Sequence, residues 1–259
     1  MNVFANVSFH WYGFIVGLAV VCAFLVAEKY VLAWKVPKQI FSKYAFMTMC
    51  AGFVGARAWH VVTDFQYYVG QDWRAVFFIW NGGMSVIGAL LGGGMVLAIY
   101  GLLVAQERKY ICTYLDALAI ALPVGQIIGR IANFVNGELM GLPTQLPWGI
   151  FVPEQNRPSQ YVEFNTFHPL FAYEMIGLSI FLWLLLRIVR HYKKNGKMQG
   201  HLFGLYVGWY SVLRFLLDFL RIERDPVIAG LGINQFVILC IGLATGLWWQ
   251  KKCTIKHTR

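Results

Sequence analysis

Arg57, Arg130 and Arg221 each lie within or directly beside a long apolar stretch of the chain. Ionisable side chains at membrane depth are costly and usually serve a function. A guanidinium group binds a phosphate through two parallel hydrogen bonds. Together the three arginines indicate a site for an anionic ligand, and the phosphate of a phospholipid lies at about this depth.

Other charges in these stretches have structural interpretations. Arg214 and Asp218 are four residues apart and share a helix face, which predicts an ion pair that holds the bundle together. Arg57 could equally extend to the membrane interface by itself. Arg221 has only Asp218, three residues away, as a local partner.

Long apolar helices must position these groups, because the composition is that of a membrane protein. Of 259 residues, 58% are hydrophobic and 13% are charged, and the mean hydropathy is +0.56. An ordinary soluble domain has about 25% charged residues, so a soluble protein is excluded. We expect an all-α polytopic membrane protein with about seven spans, at 9–27, 44–63, 84–105, 114–129, 168–186, 202–220 and 230–250.

The net charge of +10 predicts how these spans are oriented. Most of the lysines and arginines lie on every second connection, so the positive-inside rule places the N-terminus outside and the C-terminus in the cytoplasm. The site arginines then face the outer side of the membrane. Because topology explains the charge, no nucleic-acid partner is expected. The five cysteines show no metal-ligand spacing, so no metal is expected either.

Two connections on the outer side are expected to be ordered. The connection 130–167 contains four prolines and many aromatic residues, which predicts a cap at the interface within a single catalytic domain 1–259. Gly82 and Gly83 precede the third span and predict a tight turn whose backbone amides face a ligand. Within that span, the glycines at 92–94 predict close helix packing.

One segment joins Arg130 to several polar residues. It reads GRIANFVNGELMG from position 129 to 141, and it holds Asn133, Asn136, Glu138 and Gly141. It resembles the signature of the bacterial prolipoprotein diacylglyceryl transferases at every specified position. The similarity extends to the segments 10–13, 55–57, 80–85, 146–149, 168–174 and 214–221.

The resemblance implies an enzyme that acts on a membrane lipid. Members of the family transfer the diacylglyceryl group of phosphatidylglycerol to the lipobox cysteine of a prolipoprotein signal peptide, and they release glycerol 1-phosphate. They need no metal or nucleotide cofactor. The resemblance therefore implies a multi-pass protein of the bacterial cytoplasmic (inner) membrane, with its active site toward the outer face.

The resemblance also implies roles for individual residues. Arg130 and Arg221 are expected to stabilise the departing phosphate. Asn133 and Asn136 are expected to bind the glycerol hydroxyls, and Glu138 to orient Arg130 by pairing with it. The remaining expected substrate contacts are Arg57, Gly82, Gly83, Gly141, His168, Tyr173 and Glu174.

The chain departs from the family at one position. Many members have a histidine where this chain has Ile87, so the base that deprotonates the thiol is not transferable from the family. The candidates in this chain are His10, Tyr12, His60 and His168. Alternatively no dedicated base exists, because nearby arginines lower the pKa of a thiol.

Three other functions stay open at this point. A divergent paralogue with another acceptor would keep the scaffold and explain Ile87. A transporter of an anionic solute or lipid would need polar residues deeper on the cytoplasmic side, where the sequence has few. An inactive assembly subunit would have no reason to keep the motif at 129–141.

Overall fold

The structure of the protein is a computed structural model that describes residues 11–70, 72–78, 82–192 and 200–222, and single positions at 227, 228, 231, 232, 235, 240 and 242. The helices are α1 (Trp11–Ala33), α2 (Lys38–Thr63), α3 (Phe65–Tyr68), α4 (Val86–Leu103), α5 (Arg108–Val135), α6 (Leu170–Tyr192) and α7 (His201–Asp218). The short strands are β1 (Ile150–Phe151), β2 (Thr166–Phe167), β3 (Val227–Ile228) and β4 (Leu231–Gly232).

Within these ranges four helices are long and apolar enough to cross a membrane, namely α1, α2, α5 and most of α6. The chain is therefore a mostly helical membrane protein, as predicted. The third predicted span falls on α4, whose apolar part is the shorter Gly88–Leu103. The sixth falls on α7, and the seventh lies largely outside the described residues.

Helix α5 corrects the predicted boundaries of the fourth span. The sequence predicts a short span at 114–129 that contains Asp116 and Pro123. The structure has 28 helical residues with Pro123 inside them. Asp116 is fully buried, and its carboxylate accepts hydrogen bonds from the backbone N–H groups of residues 200, 202 and 203 at the start of α7. Its charge is thus satisfied by a helix N-terminus. As a result Arg130 and Asn133 lie in the last turns of α5, not in the outer connection.

The chain forms two compact units, residues 28–114 and residues 1–27 together with 115–259. In the first unit, α2 packs closely on α4 through glycines. A Cβ atom added to Gly55 would lie 2.4 Å from the carbonyl oxygen of Gly88, and one added to Gly92 would lie 2.2 Å from that of Ala51. The predicted close packing is thus confirmed at Gly92, whereas a Cβ on Gly94 would meet nothing within 4 Å.

The second unit holds α5, α6 and α7 with the connection that follows α5. Strands β1 and β2 pair antiparallel, with Ile150 opposite Phe167. The end of the motif and the residue after it lie between β2 and the end of α7. The N–H of Gly141 donates to the carbonyl of His168, and the N–H of Leu142 donates to that of Leu220. These backbone hydrogen bonds hold the motif segment beside Arg221.

Candidate functional site

A buried carboxylate joins two arginines in the second unit. Glu174 on α6 is fully buried. Its Oε1 lies 2.8 Å from Nη2 of Arg130 on α5, and its Oε2 lies 3.2 Å from Nη1 of Arg214 on α7. The hydroxyl of Tyr210 donates to the same carboxylate at 3.2 Å. Among the described residues, this arginine cluster contains two positive charges and one negative charge, which leaves a net positive charge for an anionic ligand.

The cluster corrects two predicted pairings. Arg214 pairs with Glu174 and not with Asp218, which instead lies 3.9 Å from Arg221. Arg130 pairs with Glu174 and not with Glu138. Sequence spacing shows which residues share a helix face, but a partner on a neighbouring helix competes for the same guanidinium.

Arg130 retains capacity for a further acceptor. Its Nη1 donates to Oδ1 of Asn133 at 2.9 Å, and its Nη2 donates to Glu174. Its Nε is buried and has no hydrogen-bond partner among the residues that the structure describes. An unsatisfied buried donor costs about 1–3 kcal/mol, and more when it is charged. Because this atom is fully buried, an anionic ligand would contact the exposed part of the Arg130 side chain instead, which is 22% of its surface.

The polar residues of the motif form a connected set next to Arg130. Asn133 donates through Nδ2 to Oε2 of Glu138 at 3.3 Å, and the side-chain amide of Asn136 donates to Oε1 of the same carboxylate. Asn133 therefore links Arg130 to Glu138. The predicted contacts of the two asparagines with glycerol hydroxyls stay predictions.

Glu138 also lines a cavity of about 340 Å³. The lining includes the polar residues Asn156 and Arg221 together with apolar residues such as Val152 and Phe167. Gly141 is buried, and a Cβ atom there would lie 2.7 Å from the carbonyl oxygen of Leu220. A close backbone approach explains the glycine at the end of the motif.

His168, Tyr173 and Trp148 form a hydrogen-bonded chain. The indole N–H of Trp148 donates to the hydroxyl of Tyr173 at 2.8 Å, and that hydroxyl lies 2.9 Å from Nδ1 of His168. Because the tyrosine hydroxyl accepts from the indole, its own proton is available to Nδ1. The same hydroxyl can also accept from a protonated Nδ1, so the contact orients the ring of His168 without fixing its tautomer or its role as donor or base.

Arg57 lies in the first unit and donates hydrogen bonds to backbone carbonyls of the protein. Its five N–H groups donate, at 2.7–3.3 Å, to the backbone carbonyls of Ala75, Val76, Phe78, Gly82 and Gly83. Gly82 and Gly83 both have positive φ, 85° and 78°, a conformation that favours glycine; the first residues of the predicted turn lie outside the described residues. With all five donors engaged, direct contact of Arg57 with a substrate stays a prediction that this arrangement does not favour.

The candidate bases lie in different surroundings. Nδ1 of His60 lies 2.9 Å from Oδ2 of Asp64, one helical turn away. Tyr12 is 42% exposed at the start of α1. His10 and the side chain of Ile87 lie outside the described parts of the structure. The identity of the base stays open.

Two members of the arginine cluster were not predicted as site residues. Arg214 was assigned a structural pair, and Tyr210 was not singled out. The spacing of four residues between them places both on one face of α7, and a search for polar residues along that face would have found them.

The sequence of the chain is similar to that of characterised proteins over nearly its whole length. A family model described as prolipoprotein diacylglyceryl transferase matches residues 1–250. Proteins named phosphatidylglycerol–prolipoprotein diacylglyceryl transferase are 34% identical in Cutibacterium acnes, over 90% of this chain and 78% of the relative, and 34% identical in Gloeobacter violaceus, over 93% and 88%. One from Prochlorococcus marinus is 31% identical, over 91% and 83%. The chain therefore belongs to the prolipoprotein diacylglyceryl transferase family.

Proposed function

We propose that this protein transfers the diacylglyceryl group of phosphatidylglycerol to the lipobox cysteine thiol of a prolipoprotein signal peptide, the first step of lipoprotein maturation. The observation that carries the proposal is the arginine cluster at the motif. The side chain of Arg130 is 22% exposed, and among the described residues the two arginines share one carboxylate, which leaves a net positive charge. Such a site suits the phosphate of an anionic phospholipid.

The reaction is a nucleophilic substitution at a glycerol carbon. A bond forms between the cysteine sulfur and that carbon, and the bond between the carbon and the phosphate oxygen breaks. The bonding electrons leave with the phosphate, as glycerol 1-phosphate, and the thiol proton passes to a base or to solvent. The protein must therefore stabilise the negative charge that develops on the leaving group.

We assign this stabilisation to two arginines, Arg130 on α5 and Arg214 on α7. Arg130 and Arg214 share Glu174, so their guanidinium groups are held close together and oriented before a substrate arrives. Groups that are oriented in advance need no reorganisation during the reaction. The contact of Arg221 with the phosphate stays a prediction. In the structure, Nη1 of Arg221 lies 3.9 Å from Oδ1 of Asp218.

The membrane arrangement completes the proposal. Seven spans, an outward N-terminus and a cytoplasmic C-terminus would place the arginine cluster toward the outer face of the bacterial cytoplasmic membrane. This orientation is supported by the distribution of lysine and arginine along the chain. The connection after α5, with its short sheet and 3₁₀ turns, would then form the outer cap.

The proposal is tested with purified protein, vesicles that contain phosphatidylglycerol and a synthetic lipobox peptide. Mass spectrometry should detect a thioether adduct that carries the diacylglyceryl mass. Vesicles of phosphatidylethanolamine should give none. The absence of any adduct with phosphatidylglycerol, from folded protein, would refute the proposed function.

Two variants test the residue assignment. Arg130→Ala removes a guanidinium from the cluster, and the rate should fall by about 10²–10³, the usual loss for one charge-stabilising donor. Arg187→Ala removes an exposed arginine of α6 that lies over the ring of Trp183, and it should leave the rate unchanged. Equal rates in the two variants would exclude Arg130 from the chemistry.

A further inference from the structure

The cavity next to the motif has a strained wall. One side is formed by the motif loop, in which Gly137 and Leu139 both have positive φ, 68° and 60°. This conformation is easy for glycine but costly for leucine, and such strain concentrates at functional sites. The volume, about 340 Å³, is at the small end for ligand pockets. The cavity can therefore hold a short segment of a ligand and not a whole phospholipid.

The charges of the cavity do not favour a phosphate. Arg221 contributes the positive charge, but its Nη1 lies 3.9 Å from Oδ1 of Asp218. Glu138 adds a carboxylate to the wall. Among the residues that the structure describes, the net charge at the cavity is therefore neutral to negative, whereas the arginine cluster in the same unit has a net positive charge. An anionic head group would therefore bind at Arg130 and not in the cavity.

The walls of the cavity combine polar and apolar groups in the way that a peptide requires. Leu139 and Met140 line the cavity and are partly exposed, so they offer apolar surface to a ligand. Glu138 can accept a backbone N–H, and Asn156 and Arg221 can donate to backbone carbonyls. A glycerol head group would use the polar groups and leave the apolar surface without a partner.

We infer that this cavity binds the acceptor polypeptide, as a short neutral segment next to the cysteine that is modified. The inference rests on the proposed transferase function and locates its second substrate. Asn133 links the arginine cluster to the cavity wall, since it accepts from Arg130 at 2.9 Å and donates to Glu138 at 3.3 Å. A thiol presented from the Glu138 side is thus one side chain away from a phosphate held at Arg130.

The first experiment separates the two substrates by their kinetics. Asn156→Trp places a bulky ring at an exposed position of the cavity wall. The KM for the lipobox peptide should rise at least about tenfold, whereas the KM for phosphatidylglycerol should stay within about twofold. Gln155→Trp, in the same 3₁₀ turn but outside the cavity lining, is the matched control and should change neither KM.

Each other kinetic outcome overturns the inference. A higher KM for phosphatidylglycerol with an unchanged KM for the peptide would assign the cavity to the lipid head group. No change in either KM would show that the cavity holds no substrate. If the wild-type protein forms no adduct at all, the proposed transferase function is refuted. This result differs from the two outcomes above, in which the wild-type protein is active.

A second measurement does not depend on turnover. A photoreactive benzoylphenylalanine at position 156 should crosslink the lipobox peptide, and the same group at position 155 should not. The crosslinked species are identified by mass spectrometry, and circular dichroism verifies that each variant is folded. The absence of a peptide crosslink at position 156, in protein that still binds phosphatidylglycerol vesicles, would overturn the inference.

Discussion

Replacement of Glu174 by glutamine would separate a positioning role from a purely structural one. The side chain keeps its shape and one oxygen acceptor, but it loses the negative charge that Arg130 and Arg214 share at 2.8 and 3.2 Å. Glu174 is fully buried, so water cannot replace that charge. Removal of one partner from a buried ion pair typically costs about 3–5 kcal/mol.

Glu174→Gln should destabilise the protein by itself, whereas added phosphatidylglycerol should stabilise the variant. The free energy of unfolding should fall by up to that amount, and the thermal midpoint in detergent should fall with it. Added phosphatidylglycerol should recover part of this loss, because the anionic phosphate then offsets two uncompensated guanidinium groups. The wild-type protein, which already holds the carboxylate, should gain less from the same lipid.

Catalysis should nevertheless become slower, because Arg130 loses the contact that orients it. We expect kcat to fall by about 10²–10³, the loss seen when one charge-stabilising donor is misplaced, while the KM for phosphatidylglycerol stays equal or falls. The assay is the formation of peptide adduct under saturating peptide. Glu154→Gln, which neutralises an exposed carboxylate of the connection between α5 and α6, is the control.

The reasoning has a clear point of failure. If Glu174→Gln is destabilised but keeps the wild-type kcat, the carboxylate only holds the helices together. If the KM for phosphatidylglycerol rises in step with the loss of stability, the phosphate does not bind at these arginines. Either result would remove the arginine cluster from the mechanism.

Three further predictions concern the scaffold. Asp116→Asn weakens charge-assisted hydrogen bonds to the start of α7 and should lower the free energy of unfolding by about 1.5–3 kcal/mol, measured by denaturant titration. Gly92→Ala should lower the thermal midpoint because its Cβ would lie 2.2 Å from a carbonyl oxygen, whereas Gly94→Ala, with open space, should be tolerated; equal effects would refute the packing. Hydrogen bonds, chiefly from Lys43, lower the pKa of Glu107 below its ordinary value of 4.5, so the stabilisation is present above about pH 4.5 and is lost as the pH falls through the lowered pKa. The thermal midpoints of wild type and Glu107→Gln should therefore converge in acid.

Much of the scaffold follows from local properties of the sequence. The apolar composition predicts the membrane class, and helices α1, α2, α5 and α6 confirm it. The paired glycines before α4 predict a tight turn, and both have positive φ. These features were predictable because hydrophobicity and backbone freedom belong to short stretches of chain.

The length of α5 was not predictable in the same way. The span predicted at 114–129 follows the apolar residues, but the helix continues at both ends through polar residues such as Arg108 and Arg130. In the folded chain the carboxylate of Asp116 accepts a hydrogen bond from Gly200, the N-cap residue of α7, which lies 84 residues later. The cost of burying the charge is offset by a partner that sequence spacing cannot reveal.

The same distinction holds for the candidate site. The motif GRIANFVNGELMG, by itself, determines the family and identifies Arg130 as the residue to examine. Only the tertiary structure decides that Arg130 pairs with Glu174 and not with Glu138, that Arg214 is its neighbour, and that Arg57 binds backbone carbonyls. A long side chain can reach several partners, and the choice among them depends on how neighbouring helices are rotated and packed.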